Sequence, residues 1–160
     1  MSKILVIAEH LDGKLNSAVA KTVSAAVAVA GDIDVLVLAV DPAIVAAQAA
    51  QIAGVSRVLT IANAANEHAI AQVMAPQIAK VATGYSHVFG ASTTTGKDLM
   101  PAVAALLGVN QVSDLMAVEG PHTFKRPIYA GNAIITVQTP ADQVVVATVR
   151  AASWPEAAGG

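Results

Sequence analysis

Short, almost uncharged runs of strand-forming residues alternate with longer stretches of small apolar residues, and most of these alternations close on glycine. Lys3 to Glu9 is the first run, and Asn16 to Ala30 after it keeps small or apolar residues through several helical turns, with Gly31 expected as the stop. The cycle repeats with Asp34 to Val40 as a strand, Asp41 as N-cap, Pro42 at the first helical position and Gly54 as the stop. A third strand is expected at Arg57 to Ala62, followed by a helix from about Asn66 to Thr83, ending at Gly84 and kinked or broken at Pro76. The fourth pair is His87 to Ala91 and Thr95 to Leu107, ending at Gly108. Strands joined by helices of this length require right-handed parallel crossovers, and so a sheet covered on both faces.

From Val112 onward the connections shorten. Leu115 to Val118, Thr123 to Ala130, Ala133 to Gln138 and Val144 to Val149 are strand-like with only turns between them, and antiparallel pairing is expected. The fold class is therefore α/β: a three-layer sandwich with a mainly parallel sheet plus antiparallel carboxyl-terminal strands, an arrangement that resembles the Rossmann-like, adenine-nucleotide-alpha-hydrolase-like folds. With 160 residues the chain suits a single domain, expected over residues 1–150; residues 151–160, which end in Ala-Ala-Gly-Gly, read as the start of a linker.

Composition removes several function classes. Hydrophobic residues make up 55% and charged ones 12%, yet the longest uncharged stretches, such as Pro42 to Ser56 and Leu99 to Ser113, fall short of a bilayer span and contain Gln, Asn or Pro. No membrane insertion is expected. The start runs straight into a strand with no signal or transit pattern, and cysteine is absent, so the cytoplasm is the expected location. A formal charge of −2, with no Lys/Arg cluster and few aromatics, gives no footprint for nucleic acid.

The stretch from Gly90 through Ser92, Thr95 and Gly96 to Lys97 is a small, hydroxyl-rich loop at the carboxyl edge of the sheet, where such folds place ligands. These five residues are the candidate cofactor-binding positions. A P-loop needs four residues between its first Gly and the Gly-Lys pair, then Ser or Thr, whereas five intervene here and Asp98 follows. The competing reading, a helix start with Thr95 as N-cap and Asp98 at the third helical position, fits the capping rules better. Glu9 ends the first strand, but no second acid or base at a readable spacing makes it catalytic; pairing with the helix after Asp12-Gly13 or with a basic neighbour is as good a reading. His10, His68, His87 and His122 share no metal-ligand spacing, and there is no nucleophile elbow. No catalytic residue and no metal site is expected. Lys125 to Ala133 places a cationic pair, Tyr129 and a Gly131-Asn132 turn among apolar strands, which suits either an interface or a plain hairpin with a solvated basic edge.

Taken in order, Ile4 to His10, Gly96-Lys-Asp-Leu-Met-Pro101, Ser113-Asp114, Arg126-Pro-Ile-Tyr129-Ala-Gly131-Asn132-Ala and Thr148-Val-Arg150 resemble the alpha subunit of electron-transfer flavoproteins over the whole chain. The resemblance implies a heterodimer with a beta subunit of similar fold. Its FAD would accept electrons from primary dehydrogenases, including acyl-CoA dehydrogenases, and pass them to a membrane quinone oxidoreductase. It also implies FAD held mainly by a carboxyl-terminal alpha domain absent from this sequence, AMP held by the beta subunit, and a scaffold role for this domain. Arg126, Tyr129, Asn132 and Arg150 would then lie at the partner interface or the hinge. The rival reading is a stand-alone nucleotide-binding protein of universal-stress type, which a glycine-rich nucleotide loop would favour.

Overall fold

The computed structural model describes residues 1–159. In chain order its elements are β1 (Ser2–Ile7), β2 (His10–Leu11), β3 (Lys14–Leu15), α1 (Ala18–Val29), β4 (Gly31–Ala39), α2 (Ala43–Ala49), β5 (Arg57–Ala62), α3 (Ala71–Ala82), β6 (His87–Ala91) and α4 (Thr94–Leu107). They are followed by β7 (Gln111–Leu115), β8 (Ala117–Gly120), β9 (Thr123–Ile128), β10 (Ala133–Gln138) and β11 (Val145–Val149). Six strands form one parallel sheet in the order β5-β4-β1-β6-β11-β7, and β10-β9-β8 form a separate antiparallel ribbon.

Side chains alternate across the sheet with the period of two that extended backbone imposes. Ile4 and Val6 of β1, Ile33, Val35 and Val37 of β4 and Phe89 of β6 face α1 and α2, where Val19, Val23, Ala25, Ala26, Val45 and Ala49 meet them. Leu5, Ile7, Leu36, Leu38 and Val88 face the opposite way, onto Met74, Ile78, Leu99, Met100 and Val103 of α3 and α4. Alanines at the α1 contact, fully buried at Ala25 and Ala26, bring the helix close to the sheet.

Several boundaries differ from the sequence reading, each for a local reason. Gly31 does not stop α1: Ala30 does, with φ 65°, while Gly31 opens β4 because any Cβ there would lie 2.1 Å from the Ser2 carbonyl oxygen. Asp41 does accept from the Ala43 amide at 3.1 Å, but Pro42 precedes the helix rather than opening it. Residues 64–66 form a separate 3-10 turn, and α3 then runs unbroken through Pro76. The largest difference follows Val112. β7 and β11 are parallel members of the main sheet, β11 being inserted between β6 and β7, so of the described strands after Val112 only β8, β9 and β10 pair antiparallel, as the short β2 and β3 do earlier in the chain.

Residues 151–159 lie across the domain. Trp154 Nε1 donates to the Leu115 carbonyl at 3.2 Å, Ser24 Oγ donates to the Pro155 carbonyl at 2.8 Å, and the Ala53 amide donates to Ala158 at 2.8 Å.

Candidate functional site

The chain passes from β1 through α1 to β4 on one side of the sheet, and later enters β6 on the other side of β1. Loops leaving the carboxyl ends of β1 and β6 therefore part, and in open α/β sheets this reversal is where ligands sit. A cleft of about 690 Å³ opens there, floored by Leu38, Met74, Leu99 and Met100.

Its walls are acidic. Glu9 and Asp12 follow β1, Asp41 follows β4, and Glu67 lies beyond β5, while among the described residues neither Lys nor Arg lines the cleft. A phosphate entering it would meet carboxylates without a compensating cation. The amino end of α4 is also already engaged. Thr93 is the N-cap, its Oγ1 accepting from the Gly96 amide at 3.0 Å and donating to Glu9 Oε2 at 2.5 Å. The cap is thus Thr93 rather than Thr95, which puts Asp98 in the second turn instead of at the third helical position. Glu9 pairs with Thr93, not with the helix after Gly13 or with a basic residue. Its carboxylate stands where the helix dipole would draw a ligand's anion.

The five candidate cofactor-binding residues divide accordingly. Gly90, Thr95 and Gly96 line the cleft. Gly96 is fixed by contact, since a Cβ would fall 1.8 Å from the Ala91 carbonyl oxygen, and Gly90 leaves room for Met100. Ser92 and Lys97 are not among the lining residues; the Ser92 amide bonds to Val149 at 2.8 Å and Lys97 is exposed. The residues present do not fit the diphosphate of FAD or the phosphate of AMP. The histidines are dispersed: His10 Nε2 bonds to the Leu38 carbonyl at 2.8 Å, His68 lies at the cleft, and His87 is wholly buried beneath the ribbon, its ring 5.8 Å from that of His122. Among the described residues no group of three or more His, Asp or Glu could hold a metal ion.

Arg126, Tyr129, Asn132 and Arg150 fall on or beside the ribbon. Arg126 is tied inward, Nε donating to the Ser113 carbonyl at 2.8 Å. Arg150, on the strand end beyond β11, donates its amide to Leu115, so the two arginines flank the same stretch of β7. Tyr129 and Asn132 form the hairpin tip. Tyr129, Ala130 and Gly131 have φ of 50°, 53° and 89°, a left-handed run that costs L-residues about 1–2 kcal/mol each. The Asn132 side chain braces the turn by donating to the Tyr129 carbonyl at 2.9 Å, and Tyr129 as a residue is 79% exposed. Strain that leaves an aromatic in solvent is characteristic of functional positions.

Sequence reasoning missed Thr93 and the acids Asp12, Asp41 and Glu67. The available signal was positional, since the loops leaving β1, β4 and β5 each carry an acid.

Residues 4–160 match the family model described as "Electron transfer flavoprotein domain". The chain is 53% identical over 147 residues to the electron transfer flavoprotein subunit alpha of Pseudomonas aeruginosa, covering 92% of this chain and 47% of that protein. It is 43% identical to subunit alpha of Paracoccus denitrificans, covering 98% of this chain and 51% of that one, and 37% identical to the mitochondrial subunit alpha of Dictyostelium discoideum, covering 98% and 46%. The chain thus spans about half the length of the curated relatives it matches, and it belongs to the electron transfer flavoprotein family.

Proposed function

We propose that this chain is the amino-terminal scaffold domain of an electron transfer flavoprotein alpha subunit, and that it pairs with a beta subunit and catalyses no reaction itself. The carrying observation is the match along residues 4–160 to about half of each related alpha subunit. The acidic, lysine-free cleft supports the reading that the domain serves as framework and leaves FAD to the remaining half of the subunit and AMP to the beta subunit. Within that assembly, residues 1–150 are the domain proper and 151–160 lead toward the FAD domain, with 151–159 first packing back across the sheet and helices. The heterodimer would take electrons from primary dehydrogenases, acyl-CoA dehydrogenases among them, onto FAD and deliver them to a quinone oxidoreductase in the membrane. No helix among the described residues is long and apolar enough to cross a membrane, and we place the assembly in the cytoplasm.

Arg126, Tyr129, Asn132 and Arg150 are the proposed contact or hinge residues. The exposed, strained Tyr129 is the anchor, with Arg126 setting the ribbon's orientation through Ser113. Calorimetric titration of the chain with FAD, AMP and a beta subunit tests the assignment. The expected result is beta-subunit binding, weakened at least tenfold by Arg126→Ala with Tyr129→Ala, and no heat from either nucleotide. Tight AMP or ATP binding by the chain alone would favour the universal-stress reading instead, and unchanged beta-subunit binding by the double variant would remove these residues from the interface.

A further inference from the structure

The ribbon ends in an open edge, and its hydrogen-bond directions can be read from two contacts. The Lys125 carbonyl accepts from Met116, on the β8 side, and the His122 carbonyl accepts from Thr139, on the β10 side. Backbone groups of one residue point the same way in an antiparallel strand, and successive residues alternate. Phe124, Arg126 and Ile128 therefore face β10, where their partners are Val137, Ile135 and Ala133. It follows that Ile134, Thr136 and Gln138 turn both N–H and C=O away from the ribbon, and among the described residues these groups have no backbone partner.

Edge strands are ordinarily protected by a charge, a proline, a bulge or a covering element. None of these guards β10. No charged residue occurs between Arg126 and Asp142, β10 contains no proline, its pairing with β9 is unbroken, and Ile134 is 57% exposed.

We propose that this edge pairs antiparallel with the same edge of a second copy of the chain, about a twofold axis at Thr136. In that register Thr136 faces Thr136 of the second copy, and Ile134 faces Gln138 in both directions. Each facing pair exchanges both of its backbone bonds, so every outward group on the edge is satisfied. A shift by two residues in either direction would strand a pair at each end. The side chains agree with the register. On the inner face Ile135 meets Val137 of the second copy, and on the outer face the two threonines form a cross-strand pair of a favoured type. The segment from Pro127 to Ala141 carries no charge, and Lys125, the β9 neighbour of Thr136, is paired with Glu119 at 3.2 Å. A single strand-to-strand contact sits at the low end of interface sizes, so the dimer is expected to be weak and to dissociate on dilution. Self-pairing along β10 needs no second kind of subunit.

Sedimentation velocity over a concentration series, with amide exchange followed by NMR, tests the proposal. The expected result is a sedimentation coefficient that rises with concentration, together with exchange at Ile134, Thr136 and Gln138 that slows in step. Thr136→Pro removes one outward donor and no bond to β9, and should weaken self-association at least tenfold. Thr136→Lys, which places two like charges at the axis, should do the same if the proline variant is poorly folded. A chain that stays monomeric throughout, equal exchange of the three amides at all concentrations, or a dimer that survives both substitutions would overturn it.

Discussion

Asp34 carries its charge at 1% exposure, and three side chains make this tenable. Arg57 reaches it with Nη2 at 2.6 Å and Nε at 3.2 Å, Tyr85 donates its hydroxyl at 2.6 Å, and Lys3 lies over the Tyr85 ring at 4.8 Å. Burial opposes ionisation of the carboxyl, but the hydrogen bonds from Arg57 and Tyr85 outweigh it and hold Asp34 below its ordinary value. The same contacts act on Tyr85 in the opposite direction. Its phenol is pushed up from 10.0 to about 12, first by burial and then by the carboxylate it serves. A group whose pKa is raised on folding contributes stability fully below its unfolded value and loses it as pH rises through the folded one. Tyr85→Phe should therefore lower stability at pH 7 by about 1.5 kcal/mol, the low end for a hydrogen bond to a charged group because Tyr85 is only half-buried. The gap between wild type and variant should close as pH rises from 10 to about 12, as measured by urea unfolding across that range. An equal gap at both pH values would mean that the hydroxyl acts by packing alone. Parts of this network were within reach of the sequence. Strands beginning at Asp34 and Arg57 were expected there, and in a parallel pair with aligned starts those residues face each other, as they do. Tyr85, 51 positions along the chain from Asp34, carried no such clue.

At the scale of elements, the junction of α1 and β4 separates two demands that a single glycine would ordinarily meet. Ending α1 requires a residue at positive φ, and entering β4 beside Ser2 requires one without a Cβ. Gly31 is committed to the second, which leaves Ala30 at φ 65°, ψ 99°. Ala30→Gly should consequently stabilise the domain by about 1 kcal/mol, the scale of the penalty for an L-residue in left-handed backbone. The corresponding rise in Tm, about 2–4 °C for a domain of this size, is readable by calorimetry; no rise would show that the local backbone relaxes without strain. The element pattern was legible wherever periodicity and punctuation agreed: β5, β6 and β10 fall where the sequence places them, and α4 lies within one residue. It failed where connection length was taken as a guide to strand direction. Val144 to Val149 is apolar but for Thr148 and shows no alternation, the mark of a strand buried on both faces, and β11 occupies such a place inside the parallel sheet. Exposure that alternates along a whole strand is seen in β10, at the ribbon edge. In the candidate site, Gly96 and Glu9 were visible as residues. Their roles depend on Ala91 and Thr93 coming within contact distance, which only the packed turn determines.

At the scale of the whole molecule, the antiparallel ribbon packs against the parallel sheet beside β7, and a buried histidine joins the two. His87, at the start of β6, is fully buried: Nε2 lies 2.6 Å from the Pro121 carbonyl in the ribbon turn, Nδ1 lies 2.8 Å from Ser86 Oγ, and the ring meets Phe89 edge-on. A carbonyl only accepts, so the proton sits on Nε2 in the neutral ring, and Ser86 serves Nδ1. Burial drives the pKa of His87 below its ordinary 6.5, and the nearby His122 ring adds to this, while the bond to Pro121 works the other way without prevailing. For a base depressed on folding, the unfolded chain takes up its proton first. Stability is therefore complete above pH 6.5 and falls as pH drops from there toward the folded pKa. The ribbon root is where that loss should register first, since protonation places an uncompensated charge between the sheet and the ribbon. His87→Gln keeps a donor within reach of Pro121 but does not titrate. Urea unfolding at pH 7.5 and at pH 5 should show wild type losing stability between the two conditions and the variant losing clearly less. A lower starting point for the variant at pH 7.5 reflects packing, and only the difference between the two pH values carries the test. If both proteins lose the same amount, His87 does not set the acid sensitivity, and the ribbon is held by packing on Phe124 rather than by the histidine.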